Sequence, residues 1–190
     1  MMIFLILAPY GAFAGLMLLT SPAVSLFAAA AFCLAVIAYD AIGGRSLKIL
    51  GAGSAILFAA LGGYITLVDS SWTVSQVKLT VDAGMLAIAL ASMAIRLPFT
   101  LQYAREMVDA ETEKLPGFRR VSYVITWAWT LAFALMVMAN ILMIYVPGLP
   151  LWTGLAIAFA ARNSALCFSK WYPERARAKS TNPLTLPSAP

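Results

Sequence analysis

Residues 49–98 read ILGAGSAILFAALGGYITLVDSSWTVSQVKLTVDAGMLAIALASMAIRLP. Two apolar runs, at about Ile49–Val68 and about Val77–Ile95, flank a short polar turn. Each run is close to the roughly 20 apolar residues that a helix needs to cross the hydrocarbon core of a bilayer. The runs are continuous rather than alternating, and backbone polar groups in lipid must be satisfied internally, so we predict two transmembrane helices joined by a turn.

The same pattern recurs along the whole chain. It predicts an all-α, polytopic integral membrane protein with six transmembrane helices, at about residues 2–19, 23–42, 49–68, 77–95, 121–146 and 151–168. These spans form one transmembrane domain over residues 1–169, with an interfacial segment at 99–120 and a basic, then Pro/Ser/Thr-rich tail at 170–190 that we expect to be disordered. Only 11% of the residues are charged, whereas a soluble domain carries about a quarter.

The basic residues show the orientation of these spans. All of them except Lys78 and Arg162 lie between spans two and three, between spans four and five or after span six, which is one side of a six-span protein. By the positive-inside rule that side is the cytoplasm, so both termini of this multi-pass protein are expected there. The basic residues are spread over loops rather than gathered on one face, which argues against nucleic acid as a partner.

Polar residues inside the spans are the first functional candidates, because a charge at the membrane centre costs about 2.5–3.5 kcal/mol on insertion scales. They are Asp40, Lys78, Asp82, Asn140, Arg162 and Asn163. Lys78 and Asp82 share a helix face, as an interfacial ion pair or as a polar feature open to the periplasm. For Arg162 the alternatives are snorkelling to inner headgroups, pairing with Asp40, or contact with a lipid phosphate or substrate. Asn140 is expected to hydrogen-bond another helix.

The segment after span four carries a second candidate set, Arg96, Phe99, Tyr103, Arg105 and Met107. The aromatic and Met positions recur every four residues, which predicts a short helix lying on the inner leaflet with its apolar side down. The acids at positions 109, 111 and 113 are expected to face water, with a divalent-ion site as the alternative.

Small residues at intervals of four predict how two spans pack. They occupy positions 51, 55, 59 and 63 of span three and positions 83, 87 and 91 of span four. Close helix packing in lipid depends on such residues, so we predict that the two stripes face each other or a neighbouring helix.

The residue types argue against catalysis. Histidine is absent, which removes the commonest general base and metal ligand. The two cysteines, Cys33 and Cys167, lie in separate predicted spans. We therefore expect no catalytic residues, no metal site and no cofactor, and we expect that the protein is not an enzyme.

A set of short motifs gives the chain a family resemblance. They are Arg96-Leu97-Pro98-Phe99, Leu115-Pro116, Arg119-Arg120, Trp127-Ala128-Trp129, Asn140-Ile141 and Trp152 before Gly154-Leu155. In their order and spacing the chain resembles the bacterial intracellular septation protein A family of small inner-membrane proteins. The family's basic stretch after span four is diluted here by three acids. The chain also resembles a group of uncharacterised bacterial membrane proteins that share the segment PFTLQYARE, residues 98–106.

The resemblance to the septation family implies a non-catalytic role in cell-envelope maintenance or division, through contacts with other membrane proteins. The alternative is a small transporter or lipid-handling protein whose polar residues line a route within the helix bundle. The expected partners are the lipid bilayer, other inner-membrane envelope or division proteins, and further copies of the chain.

Overall fold

The computed structural model describes residues 11–17, 19–146 and 148–180, and within these ranges the regular structure is helical, without a strand. The helices are α1 (residues 11–16), α2 (Pro22–Ile42), α3 (Ile49–Leu67), α4 (Val74–Ala94), α5 (Phe99–Arg105), α6 (Ala110–Lys114), α7 (Pro116–Tyr145) and α8 (Leu151–Ser180). Helices α2, α3, α4, α7 and α8 pack one against the next in that order, and α5 and α6 lie against α7. Helix α7 therefore stands between α4 and α8.

Four of these helices are long and apolar enough to cross a membrane, namely α2, α3, α4 and α7. Their outer surfaces carry large apolar side chains, such as Ile56, which is 70% exposed, and Leu131, which is 61% exposed. A soluble monomer rarely exposes contiguous apolar patches of this kind, whereas lipid is their natural solvent. The prediction of an all-helical membrane protein is confirmed at this level.

The described helices agree with the predicted spans to within a few residues, except at the two ends of the chain. The first predicted span lies largely outside the described residues. The sixth, residues 151–168, is helical as part of α8, but α8 is not among the four helices above. The tail was expected to be disordered from Lys170 onward, whereas α8 continues through Pro173 to Ser180.

The core extends through the packed bundle, with buried side chains from α2, α3, α4, α7 and α8. Its largest fully buried side chains include Leu26, Phe58, Met85, Val77 and Val81. The predicted stripes of small residues do not face each other, because Ala59, Ala87 and Ala91 are exposed. The first half of the α3 stripe does face a neighbouring helix, since Ala55 is buried and Gly51 lies next to Ile37 of α2.

Two other glycines make the close approach between α3 and α4. A Cβ on Gly84 would lie 2.5 Å from Leu57 Cδ1, and a Cβ on Gly53 would lie 3.0 Å from Ile88 Cδ1. A large side chain of each helix thus fills the space over a glycine of the other, so that the interface alternates large and small residues.

Helix α4 ends in a turn that redirects the chain into α5. Arg96 has φ 60°, in the left-handed region, and its N–H donates to the Met93 carbonyl at 2.9 Å. The Leu97 N–H donates to the Ser92 carbonyl at 2.9 Å, which completes a Schellman motif. Glycine normally holds this position, so the arginine here is conformationally strained.

Candidate functional site: a cavity beside two polar clusters

Two polar clusters and one cavity make up the candidate site. The first cluster, here the Lys48 cluster, consists of Asp40, Arg45, Lys48 and Glu106. The Lys48 ammonium lies 2.5 Å from Asp40 Oδ2 and 3.1 Å from Glu106 Oε2, and Arg45 Nη1 lies 3.3 Å from Asp40 Oδ1. The side chains of Lys48 and Asp40 are only 7% and 9% exposed, and that of Glu106 is 15% exposed. Two cations thus neutralise two carboxylates, as burial of charge requires.

A turn between α2 and α3 builds this cluster. Gly44 has φ 68°, and the Arg45 N–H donates to the Asp40 carbonyl at 2.9 Å, so that α2 ends in a Schellman motif. The reversal brings Arg45 and Lys48 back to the carboxylate of Asp40, which lies in the last turn of α2. Only glycine adopts this φ without strain.

Helix α5 closes the cluster from the other side. The Ile49 N–H, one of the free donors at the start of α3, donates to Gln102 Oε1 at 2.7 Å. The Tyr103 ring lies 5.2 Å from the Lys48 ammonium, within cation–π range. Burial raises the pKa of the Tyr103 phenol, and the nearby charge of Asp40 adds to the effect. The Lys48 cluster therefore fastens α5 to the α2–α3 turn.

The second cluster, here the Asp82 cluster, consists of Asp82, Asn140 and Arg162 and joins α4, α7 and α8. Asn140 Nδ2 donates to Asp82 Oδ2 at 2.7 Å and to the Met136 carbonyl at 3.0 Å. Asp82 is 7% exposed, and the positive charges of Arg162 and Lys78 act on its carboxylate. The interhelical hydrogen bond predicted for Asn140 is confirmed. Asp82 accepts this hydrogen bond from the amide, whereas the ion pair suggested between Asp82 and Lys78 is not formed.

Asp40 and Asn163, two further polar candidates of the predicted spans, bond to different groups. The suggested pairing of Arg162 with Asp40 is wrong, because Asp40 is bound by Lys48 and Arg45. Asn163 donates from Nδ2 to the Phe159 carbonyl at 2.8 Å, so its amide is satisfied within its own helix.

The segment at 99–120 differs from the predicted interfacial helix. Phe99 is 2% exposed and packs into the protein, and Tyr103 also points inward, whereas Met107 lies beyond the end of α5 and is 61% exposed. The apolar side of α5 therefore covers the bundle rather than lying on a leaflet. Arg105 pairs with Glu113 at 2.9 Å between Nε and Oε1, with both side chains more than 40% exposed.

The acids of this segment have structural partners. Asp109 caps α6 by accepting from the Thr112 N–H at 3.0 Å, and these hydrogen bonds lower the pKa of Asp109. Within the described residues, no three His, Cys, Asp or Glu side chains come together as a metal site would require.

A cavity of about 610 Å³ lies between these two clusters. Its walls come from α7 and α8, with α5 and α6 covering part of it and single residues of α3 and α4 at its base. Most lining side chains are apolar or aromatic, among them Tyr103, Val121, Ile125, Trp129, Phe133 and Pro173. Volumes of about 300–1,000 Å³ are typical of sites that bind a small molecule.

Polar groups in the cavity wall are occupied by other protein atoms. Thr100 Oγ1 donates to the Ser122 carbonyl at 2.7 Å, and Trp129 Nε1 donates to Ser169 Oγ at 3.0 Å. Two arginines of α8 also line the cavity, Arg162, whose charge acts on the Asp82 carboxylate, and Arg177 near the end of the helix. The interior of the cavity is therefore suited to an apolar ligand.

Sequence reasoning missed several residues of the site. Lys48, Glu106 and Gln102 were not among the candidates. The pair of glycines between Asp40 and Lys48 signalled a chain reversal that would bring these charges together. Glu106 and Gln102 lie in the shared segment PFTLQYARE, but their contacts could not be predicted because they depend on where α5 packs.

Over the described residues, the protein is all-helical, with four helices able to cross a membrane and an apolar cavity beside them. Neither a protein-family model, nor a curated protein, nor a solved structure matches this chain. Its function has to be argued from the site itself.

Proposed function

We propose that this chain is a non-catalytic, lipid-handling membrane protein that holds an acyl chain in the cavity between α7 and α8. The observation that carries the proposal is the apolar lining of a 610 Å³ cavity beside α7, one of the four described helices that are able to cross a membrane. Of the two functions that the sequence leaves open, this geometry favours the lipid-handling one.

Solvation supports an acyl chain as the occupant. Moving each methylene of an acyl chain from water into an apolar site stabilises the complex by about 0.8 kcal/mol. The lining groups offer few hydrogen bonds to a polar ligand. Thr100, Trp129 and Ser169 already bond to protein atoms, so a polar ligand would lose its hydration there without compensation.

Filling the cavity tests this proposal. Ala176 lines the cavity on α8, and Ala176→Trp would place an indole in the space of the ligand. Ala160→Trp is the matched control, because Ala160 is exposed on the same helix. Native mass spectrometry of protein extracted in mild detergent should find retained lipid in the wild type and the control, and at least tenfold less in Ala176→Trp. Equal lipid retention by all three proteins would refute the proposal.

The membrane setting is part of the same proposal. The distribution of basic residues supports six spans with both termini in the cytoplasm, and the family resemblance supports the bacterial inner membrane as the location. Reporter tags fused near Lys114 and at the carboxyl end should both report the cytoplasm. A tag at either place that reports the periplasm would exclude this topology.

The family resemblance supports a role for such lipid handling in envelope maintenance or division, together with contacts to other inner-membrane proteins. Deletion of the gene should then impair growth or division under osmotic shock, and the wild-type chain should restore it. If Ala176→Trp also restores growth and division, the envelope role does not depend on the cavity.

A further inference from the structure

One wall of the cavity is held more weakly than the others. This wall, here the α6 lid, is the segment from Met107 to Leu115, and it contributes Met107, Val108, Thr112 and Leu115 to the lining. None of the five residues of α6, all of which the structure describes, is buried. Met107 and Leu115, at the two ends of the lid, are 61% and 57% exposed. Segments with so little buried surface open locally at a low free energy.

The other walls of the cavity are firmly packed. Helices α7 and α8 are joined at the cavity by the hydrogen bond from Trp129 Nε1 to Ser169 Oγ at 3.0 Å, and Ala132 of α7 and Ala165 of α8 are buried. Helix α5 is anchored by Phe99, which is part of the core. A ligand that left sideways between α7 and α8 would have to break this packing, whereas movement of the α6 lid would not.

Both ends of the α6 lid are attached to fixed parts of the protein. Glu106, the residue before the lid, is paired with the buried Lys48 ammonium at 3.1 Å. At the other end, Leu115 is the N-cap of α7, with extended backbone at φ −65° and ψ 131°. The lid can therefore rotate about residues 106 and 115 while α5 and α7 stay in place.

An exposed ion pair connects the lid to α5. Arg105 Nε lies 2.9 Å from Glu113 Oε1, and the two side chains are 43% and 42% exposed. An exposed pair of this kind shifts an equilibrium by about fivefold at most. Asp109 caps α6 by accepting from the Thr112 N–H at 3.0 Å, which keeps the helix folded without attaching it to the bundle. The ion pair thus favours the closed lid but does not prevent it from opening.

We propose that the α6 lid is the gate through which the acyl chain enters and leaves the cavity, with the ion pair between Arg105 and Glu113 as its latch. This inference rests on the proposed function, which requires only that the cavity hold an acyl chain. An acyl chain under the lid would cover apolar surface of Met107 and Leu115, so the bound ligand itself favours the closed lid.

Tethering the lid tests this route. Arg105→Cys and Glu113→Cys, in a Cys167→Ser background, place two thiols at the positions of the ion pair, and Cys33 is buried. The protein is loaded with deuterated dioleoyl phosphatidylglycerol, and a short bis-maleimide then joins the thiols. After excess unlabelled lipid is added, native mass spectrometry follows the exchange of the two lipids with time. Exchange should be at least about tenfold slower than in the same variant capped at both thiols with N-ethylmaleimide.

Removing the latch tests the ion pair without a cross-link. Arg105→Gln should speed up lipid exchange by as much as about fivefold, the largest effect expected from an exposed pair. Lys114→Gln is the matched control, because it removes the same charge from an exposed position of α6 that neither belongs to the ion pair nor lines the cavity. Its exchange rate should equal that of the wild type. An equal change in both variants would overturn the assignment of the latch.

The outcomes separate this inference from the proposed function. If the tethered and the capped proteins exchange lipid at the same rate, then the ligand leaves by another route, and the present inference is wrong although the cavity still holds lipid. If the wild type retains no lipid, or if Ala176→Trp retains as much as the wild type, then the proposed function itself is wrong.

Discussion

Replacing Lys48 with methionine should destabilise the protein by about 3–5 kcal/mol, which is the usual cost of removing one partner from a buried ion pair. The ammonium lies 2.5 Å from Asp40 and 3.1 Å from Glu106, and the three side chains are between 7% and 15% exposed. Asp40 would keep Arg45 at 3.3 Å, so most of the loss should come from the carboxylate of Glu106. The free energy of unfolding can be measured by reversible unfolding in mixed detergent micelles, followed by tryptophan fluorescence.

The ion pair between Arg105 and Glu113 provides the control. Its side chains are 43% and 42% exposed, and exposed pairs contribute only about 0–1 kcal/mol, so Arg105→Met should have a small effect. Adding Glu106→Leu to Lys48→Met should recover at least half of the loss, because the unpaired carboxylate is then gone. Equal costs for Lys48→Met and Arg105→Met, or no recovery in the double variant, would refute the role given to the Lys48 cluster.

Three further predictions concern single residues. Arg96→Gly should raise the free energy of unfolding by about 1 kcal/mol in the same micelle assay, because φ 60° strains any side chain; a loss of stability would contradict the strain argument. Asn140→Ala should lower it by about 0.6–1.7 kcal/mol, the range for interhelical hydrogen bonds in membranes, and an unchanged value would mean that the bond to Asp82 contributes nothing. Burial raises the pKa of Tyr103, so the folded state favours the neutral phenol, and stability should fall as the pH rises above about 10; Tyr103→Phe should reduce that fall, which a pH series of unfolding curves would measure.

The sequence predicted the membrane helices well for a simple physical reason. A continuous apolar run of about 20 residues has few alternatives to a spanning helix, so α2, α3, α4 and α7 could be located to within a few residues. Length and hydropathy are weaker indicators of a spanning helix where a charge interrupts the apolar run, as Arg162 does in α8. The helical part of the tail was missed because Pro173 and the basic residues around it resemble a linker.

The buried face of each helix was harder to predict than the position of the helix in the sequence. Alanine faces lipid at little cost, so the spacing of Ala83, Ala87 and Ala91 did not mark the buried side of α4. The buried side is set instead by Val77, Val81 and Met85, which fill the core. A close helix approach depends on which large residue of the neighbouring helix meets a glycine, and that is a tertiary property.

The polar residues of the site were partly found, but not their partners. The cost of a polar group in lipid identified Asp82, Asn140 and Arg162. Which of them would meet depends on the packing of α4, α7 and α8, and the local neighbour Lys78 was a misleading choice. The cavity has no sequence signal at all, since it arises from the space between two helices and the position of α5.

Photo-crosslinking tests the central claim, an acyl chain in the cavity, most directly. A phosphatidylglycerol with a diazirine on its chain would be added to the protein in bilayers, and labelled residues would be mapped by peptide mass spectrometry. We expect labelling of Trp129 and Phe133, which line the cavity, and this labelling should saturate and be displaced by unlabelled lipid. Labelling of Trp127 and Leu131, which are 60% and 61% exposed, should not saturate. Labelling confined to these exposed residues, or labelling of the cavity that unlabelled lipid does not displace, would contradict the account.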